Sequence, residues 1–216
     1  MIYFVGDISL MDANVLAQHV RTANSILEFG TGGSTQIILQ NKLQSAEYIS
    51  IETEQDWIDK TATNLKALGI QGGVEFRRYD TVFTEHKLID STIKNKKFDV
   101  IFDDGYPMWR EIFFNETFDL LKVGGVMIVH DTKRMGDLRW MFRSILERWT
   151  EIDRIDLNVN HSNMTVIHKK FHDPYVNWNA SEKRDGWESG YNPPAEGWVG
   201  EVEKKWKKHI GEQDWK

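Results

Sequence analysis

The stretch Ile26-Leu27-Glu28-Phe29-Gly30-Thr31-Gly32-Gly33-Ser34-Thr35 decides how the rest of this chain is read. A short apolar run ends in a glycine-rich turn and passes into a segment of helical period, the pattern of a strand, a turn and a helix. Glycine lacks a Cβ and tolerates positive φ, so such a turn lets a ligand approach the backbone closely. A phosphate-binding P-loop needs a Lys before the Ser or Thr, which is missing, and a dinucleotide fingerprint has glycine where Thr35 stands. Glu28 adds that a carboxylate at the end of the first strand repels pyrophosphate yet suits an ammonium or sulfonium group, directly or through water.

Outward from this turn, short apolar runs alternate with longer segments of helical period, as in successive βα units of a parallel sheet. The expected strands are 25–29 (SILEF), 48–51 (YISI), 74–77 (VEFR), 98–102 (FDVIF) and 126–129 (VMIV). Between them, 34–41, 56–68, 108–121 and 137–149 are expected helices, and 11–22 is another before the first strand. Trp109, Ile112, Phe113 and Leu120 form the expected buried stripe of the 108–121 helix. Gly69 and Gly124-Gly125 are read as left-handed residues that end helices. After Trp149, the runs 152–159 and 164–169 are joined only by Asn160-His161-Ser162-Asn163, too short for a parallel crossover, so an antiparallel hairpin is expected. The predicted fold is α/β: a Rossmann-like, mostly parallel sheet with a C-terminal antiparallel hairpin and helices on both faces.

Composition narrows the partners. The chain has 216 residues, 40% hydrophobic and 28% charged, enough for one main domain with a sizeable core. A net charge of −6 argues against nucleic acid, whose binding rests on many phosphate contacts. The absence of cysteine removes disulfides, zinc ribbons and thiol nucleophiles. The apolar start is interrupted by Asp7 and Asp12 and lacks a basic region, so no signal peptide or membrane helix is expected, and the chain reads as cytoplasmic. Residues 1–170 are read as the main domain and 171–216 as an extension. Five of the nine tryptophans, Trp178, Trp187, Trp198, Trp206 and Trp215, fall in that extension, which is read as a lid, packing segment or homo-oligomer contact.

Three strand ends carry candidate chemistry. Glu52 ends the second strand twenty residues after Gly32, where an acid can accept hydrogen bonds from both hydroxyls of a ribose. Asp80 follows the third strand and is placed to meet an adenine amino group. The fourth strand ends in Asp103-Asp104-Gly105 and the fifth in His130-Asp131-Thr132, and both ends should border the same cleft as the glycine turn. A histidine near its ordinary pKa of about 6.5 can take a proton from a hydroxyl, with Asp104 or Asp131 orienting it.

The stretches ILEFGTGGST, YISIETEQDW, FDVIFDDG and LKVGGVMIVHDT resemble, in order, the motifs of class I S-adenosylmethionine-dependent methyltransferases. The resemblance covers about residues 12–170 and is strongest to a subgroup with EFGSGGST, VESD and VHD-type motifs. It implies a seven-stranded sheet in which Glu28, Gly30, Gly32 and Gly33 surround the methionine part of S-adenosylmethionine, Glu52 holds its ribose and Asp80 lies near adenine. Thr31, Ser34, Thr35 and Asp103 complete the candidate cofactor-binding set. Trp57, which matches the subgroup's tryptophan, is read as packing its own helix. Where that subgroup has an arginine after Asp-Gly, this chain has Tyr106; Arg110, Lys133 and Arg134 are candidate substitutes, although charged loop residues are ordinarily solvated.

The implied reaction is methylation of an oxygen on a small molecule, a sugar or secondary metabolite, with His130 as general base and Asp104 and Asp131 beside it. No Asn-Pro-Pro-Tyr loop is present, which favours oxygen over nitrogen. Methyltransferases acting on catechols resemble this layout but clamp Mg²⁺ with acids after the fourth and fifth strands and an Asn. Asp104 and Asp131 match those acids while Thr132 replaces the Asn, so metal is the less favoured reading. Two alternatives stay open: an aminopropyltransferase or another nucleoside-cofactor enzyme such as an NAD-dependent dehydrogenase, and a non-catalytic assembly or carbohydrate-binding member.

Overall fold

The computed structural model describes residues 8–79, 89–132, 144–145 and 147–170. Its strands are β1 (Ser25–Phe29), β2 (Glu47–Glu52), β3 (Glu75–Arg78), β4 (Phe98–Asp103), β5 (Leu121–Val129), β6 (Ile152–Asp156) and β7 (Thr165–Lys169). They form one seven-stranded sheet in the order β3-β2-β1-β4-β5-β7-β6. The first five strands are mutually parallel, and β7 runs antiparallel to both β5 and β6. The hairpin therefore inserts its second strand into the sheet, and the predicted architecture holds.

Period-two alternation divides the core. Leu27, Phe29, Ile49, Ile51 and Ile101 face one side, beneath α5 (Pro107–Thr117) with Phe113, Phe114 and the following Phe118. Ile26, Tyr48, Val100 and Phe102 face the other, beneath α1 (Leu10–Val20) and α2 (Gly33–Asn41). All five residues of β1 are buried, as expected of a central strand covered on both faces. Phe29 stacks on Phe113 with ring centroids 4.8 Å apart, tying β1 to α5. Trp109 and Ile112 are only partly buried against this cluster, and Phe114 and Phe118 replace them as fully buried members.

Two readings of the sequence need correction. The predicted helix 108–121 stops at Thr117, passes through a 3-10 turn at Phe118–Leu120, and β5 begins at Leu121. Gly124 and Gly125 thus lie inside β5 rather than after a helix. The β4–β5 register shifts between Phe98 and Val100, and a Cβ on Gly125 would come within 2.9 Å of the Asp99 carbonyl, so the pair permits an irregular close approach. The run 152–159 forms a strand only as far as Asp156, and Asn158, Asn160 and His161 adopt positive φ in the tight connection. A short helix, α4 (Ser91–Lys94), capped by the Asp90 carboxylate on the Thr92 and Ile93 N–H groups, was not evident from periodicity. Most of the predicted helix 137–149 lies outside the described residues, as does the extension 171–216.

Gly69 follows α3 (Gln55–Ala67) as predicted. With φ +74° it closes the helix, the Gly69 N–H donating to the Lys66 carbonyl and the Ile70 N–H to the Leu65 carbonyl, a Schellman arrangement. Nothing lies within 4 Å of a Cβ built there, so Gly69→Ala isolates the backbone term. It should lower the unfolding free energy by about 1–2 kcal/mol, read from urea denaturation; an unchanged midpoint would contradict the left-handed cap.

Candidate functional site

The strand order reverses between β1 and β4, and at such a point the carboxyl ends of neighbouring strands diverge and leave a crevice. Here the tips are held level: Asp104 N–H donates to the Phe29 carbonyl, His130 N–H to the Asp103 carbonyl and Gly30 N–H to the Ile51 carbonyl. Gly30 has φ +90°, and a Cβ there would lie 2.5 Å from the Asp104 carbonyl oxygen. Gly105 meets the Phe29 ring, which a Cβ would penetrate at 2.0 Å. Both glycines are needed by the protein itself, to dock the tip of β1 against that of β4.

Above them opens a cleft of about 230 Å³. One wall is the turn from Gly30 to Ser34, another Glu52 and Trp57, and the third Asp104, Gly105, Tyr106, Arg110 and Asp131, with Ile8 at the edge. Gly32 differs from Gly30: a Cβ there would make only an ordinary 3.7 Å contact with the Trp57 indole nitrogen. Packing does not exclude a side chain at Gly32, and its absence leaves the cleft open.

Of the candidate cofactor residues, Gly30, Thr31, Gly32, Gly33, Ser34 and Glu52 line this cleft. Glu52 Oε1 accepts from the Thr53 and Glu54 N–H groups and the Thr53 hydroxyl, while Oε2 accepts from the Thr31 N–H. These bonds fix the carboxylate and tie the tip of β2 to the glycine turn. A carboxylate offers about four acceptor sites, and Oε2 takes only this one donor among the described residues.

Glu28 does not line the cleft, contrary to expectation. Alternation turns it toward the α2 side of β1, where it is fully buried. Its Oε2 accepts from Thr35 Oγ1 (2.8 Å), the Tyr48 hydroxyl (2.5 Å) and Ser50 Oγ (2.5 Å), and Thr35 Oγ1 in turn accepts from the Gly32 N–H. Burial pushes the Glu28 carboxyl up to about 7 against the hydrogen bonds from Ser34, Ser50, Tyr48 and Thr35. Its action on the cleft is indirect, through Thr35 to the backbone of Gly32. Thr35 and Asp103 are likewise buried and absent from the cleft wall, and Asp80 lies outside the described residues. Trp57 does more than pack its helix: it lines the cleft, 38% exposed, and its indole N–H donates to the Thr31 carbonyl.

The catalytic set is also rearranged. Asp104 and Asp131 line the cleft, but His130 does not and is 2% exposed. Its Nδ1 lies 2.9 Å from Asp104 Oδ1 and its Nε2 3.5 Å from Asp12 Oδ2. Burial alone would lower the imidazole, yet the hydrogen bonds to Asp104 and Asp12, with the nearby Asp131 charge, push it up to about 10. Buried behind the cleft wall with a carboxylate at each ring nitrogen, His130 is not presented to an acceptor in the cleft as a general base would be. Burial opposes ionisation of Asp12 too, but His130, Ser9 and the Asn163 N–H hold it well below the usual carboxylate range.

Asp131 remains as an acid at the reaction end. It adopts φ +58°, a left-handed conformation that Asp takes more readily than most non-glycine residues. Its Oδ1 accepts from Asn163 Nδ2 at 2.7 Å. Asn163, on the turn before β7, also donates its N–H to Asp12 Oδ1 and accepts from the Thr132 N–H. Neither Asn163 nor Asp12 was singled out from sequence. Of the three candidate substitutes for the missing arginine, Lys133 and Arg134 lie outside the described residues. Arg110 is at the cleft, 2% exposed, rather than solvated.

These features fit S-adenosylmethionine. The buried Thr31 Oγ1, on the cleft wall, has no partner among the described residues, Gly32 leaves open space, and Glu52 stands at a second wall. Mg²⁺ does not fit. Asp104, His130 and Asp131 lie close together, but His130 Nδ1 is already 2.9 Å from Asp104 Oδ1, and Arg110 Nη2 stands 3.2 Å from Asp104 Oδ1 and 3.9 Å from Asp131 Oδ2.

No family model matches the chain, and no curated protein matches it in sequence. Solved structures do. An O-methyltransferase from Bacillus cereus in complex with SAH aligns over 76% of this chain and 83% of its own, with a TM-score of 0.60 and 18% identity. An O-methyltransferase from Streptomyces achromogenes involved in tomaymycin synthesis, in complex with SAM, aligns over 76% and 82% with a TM-score of 0.59 and 18% identity. A SAM-dependent O-methyltransferase from Thermotoga maritima aligns over 77% and 67% with a TM-score of 0.59 and 15% identity. The fold is that of the class I methyltransferases. Among the described residues no helix is long and apolar enough to cross a membrane.

The folded protein holds the His130 proton more tightly than the unfolded chain does. Its stabilising contribution is therefore full below the unfolded pKa of about 6.5 and is lost as pH rises through about 10. Urea unfolding should show wild type losing stability between pH 7 and 10 more steeply than His130→Gln, and the His130 Cε1–H resonance should stay at its protonated position at pH 8. A ring titrating near pH 6.5 would restore it as a base candidate.

Proposed function

We propose that this protein is an S-adenosylmethionine-dependent methyltransferase acting on an oxygen of a small molecule. One observation carries the reading: at the strand-order reversal of a class I methyltransferase fold, an unobstructed glycine turn faces a carboxylate anchored at the tip of β2. That pairing suits a nucleoside whose ribose meets Glu52 while its amino-acid end lies along Gly30 to Ser34. The structural neighbours, two of them bound to SAM or SAH, support it.

S-adenosylmethionine, when bound, supplies a methyl group on a positively charged sulfur that is a good leaving group, so the protein contributes mainly alignment and water exclusion. Asp131 takes the place first given to His130. Its carboxylate lines the cleft, is oriented by Asn163, and accepts the hydroxyl proton of the acceptor as the new carbon–oxygen bond forms. Tyr106, 65% exposed at the rim, offers an aromatic surface to the acceptor. The aminopropyltransferase reading, which would draw on Asp103 and Asp104 as acids for a polyamine, loses support because Asp103 is fully buried away from the cleft and Asp104 is paired with His130 and Arg110.

Calorimetry should give micromolar affinity for S-adenosylmethionine and S-adenosylhomocysteine and none for NAD. Gly32→Arg should abolish binding, and Glu52→Ala should weaken it about tenfold to a hundredfold, the worth of hydrogen bonds to a charged group, about 1.5–3 kcal/mol. In a screen of hydroxylated small molecules with methyl-labelled cofactor, Asp131→Asn should abolish transfer to any acceptor found while leaving cofactor affinity nearly intact. Tight NAD binding alone would overturn the reading.

A further inference from the structure

We infer that Arg110 occupies the position between Asp104 and Asp131 that a divalent cation would need, so that the acceptor end of this cleft is built around a fixed organic cation in place of a metal. The inference rests on the methyltransferase reading and specifies how its acceptor end is organised.

Arg110 is the largest fully buried polar side chain described, although it lies on the first turns of α5 beside an open cleft. Its planar fork is held in three directions. Nε donates to the Gly105 carbonyl at 2.8 Å, Nη1 to the His130 carbonyl at 2.5 Å, and Nη2 to Asp104 Oδ1 at 3.2 Å. The same Nη2 stands 3.9 Å from Asp131 Oδ2. A guanidinium fixed by two backbone carbonyls cannot swing aside without leaving both unpaired in the protein interior.

The ligand chemistry agrees. Mg²⁺ requires near-octahedral oxygen coordination at about 2.0–2.1 Å. Asp104 Oδ1 already accepts from Arg110 Nη2 and lies 2.9 Å from His130 Nδ1. An ion bound to it would sit against both. The third member of the acidic cluster is a histidine, a ligand that suits softer metals, and its Nδ1 is turned to Asp104. Arg110 thus sets one fixed positive charge 3.2 Å from Asp104 and 3.9 Å from Asp131.

Mn²⁺, a paramagnetic probe for Mg²⁺ sites, tests this by electron paramagnetic resonance on the full-length protein saturated with S-adenosylhomocysteine. Wild type should leave the free-ion signal unchanged up to millimolar Mn²⁺. Arg110→Met should gain a saturable site at least tenfold tighter than any seen in wild type, and adding Asp131→Asn should remove it. Should Arg110→Met not fold, as circular dichroism reports, Arg110→Gln takes its place, and the wild-type titration decides in any case. A saturable wild-type site that Asp131→Asn abolishes would overturn the inference. So would a folded Arg110 variant that binds S-adenosylhomocysteine and gains no Mn²⁺. Failure of wild type to bind S-adenosylhomocysteine overturns the functional reading alone, whereas Mn²⁺ uptake by wild type overturns only this inference.

Discussion

A buried histidine ring ties together the carboxyl-end loops of this sheet. His130, at the tip of β5, is flanked by Asp104 from the loop after β4 and Asp12 from the first turn of α1. Asp104 passes the charge on to Arg110 of α5, and Asp12 receives the Asn163 N–H from the hairpin turn. Five separated segments are thereby fixed around one ring. Taking such charges out of water is costly, and the arrangement persists only because each is matched by an opposite charge or a hydrogen bond. Removing one partner of a buried pair typically costs about 3–5 kcal/mol, because the remaining charge stays buried and unmatched.

The cofactor side is built on a different principle. There the protein withdraws side chains: Gly30 and Gly105 allow the tips of β1 and β4 to meet, and Gly32 leaves the space above them open. Beneath this opening, Glu28 gathers the hydroxyls of Ser34, Thr35, Tyr48 and Ser50 and, through Thr35, orders the Gly32 N–H. Two carboxylates of similar sequence context thus have distinct duties. Glu52 stands at the wall where a ligand would meet it, and Glu28 is the foundation under the floor.

Much of the fold was legible because it depends on local patterning. Continuous apolar runs marked the central strands, and the short 160–163 connection allowed only a hairpin. Where glycine pairs carry two meanings, the reading failed: Gly124-Gly125 resembles a helix stop but serves an irregular strand. At the site, residues presented by a strand tip or turn, such as Glu52, Asp104 and Asp131, were found, since their position follows from order along the chain. The fate of Glu28 was already contained in the alternation of β1, where Phe29 and Glu28 must face opposite sides. His130 could not be judged in the same way. Its protonation depends on Asp12, a partner 118 positions earlier with no motif to announce it, and nothing local distinguishes the buried Arg110 from a solvated loop cation.

The triple hold of Asn163 on Asp12, Asp131 and Thr132 bears on how the molecule is assembled. A ribosome releases residue 131 well before residue 163, so during synthesis the left-handed turn at the tip of β5 lacks the amide that steadies it. The glycine turn and Glu52 come from early residues, whereas the turn at Asp131 is completed only when the β6–β7 hairpin packs against the first helix.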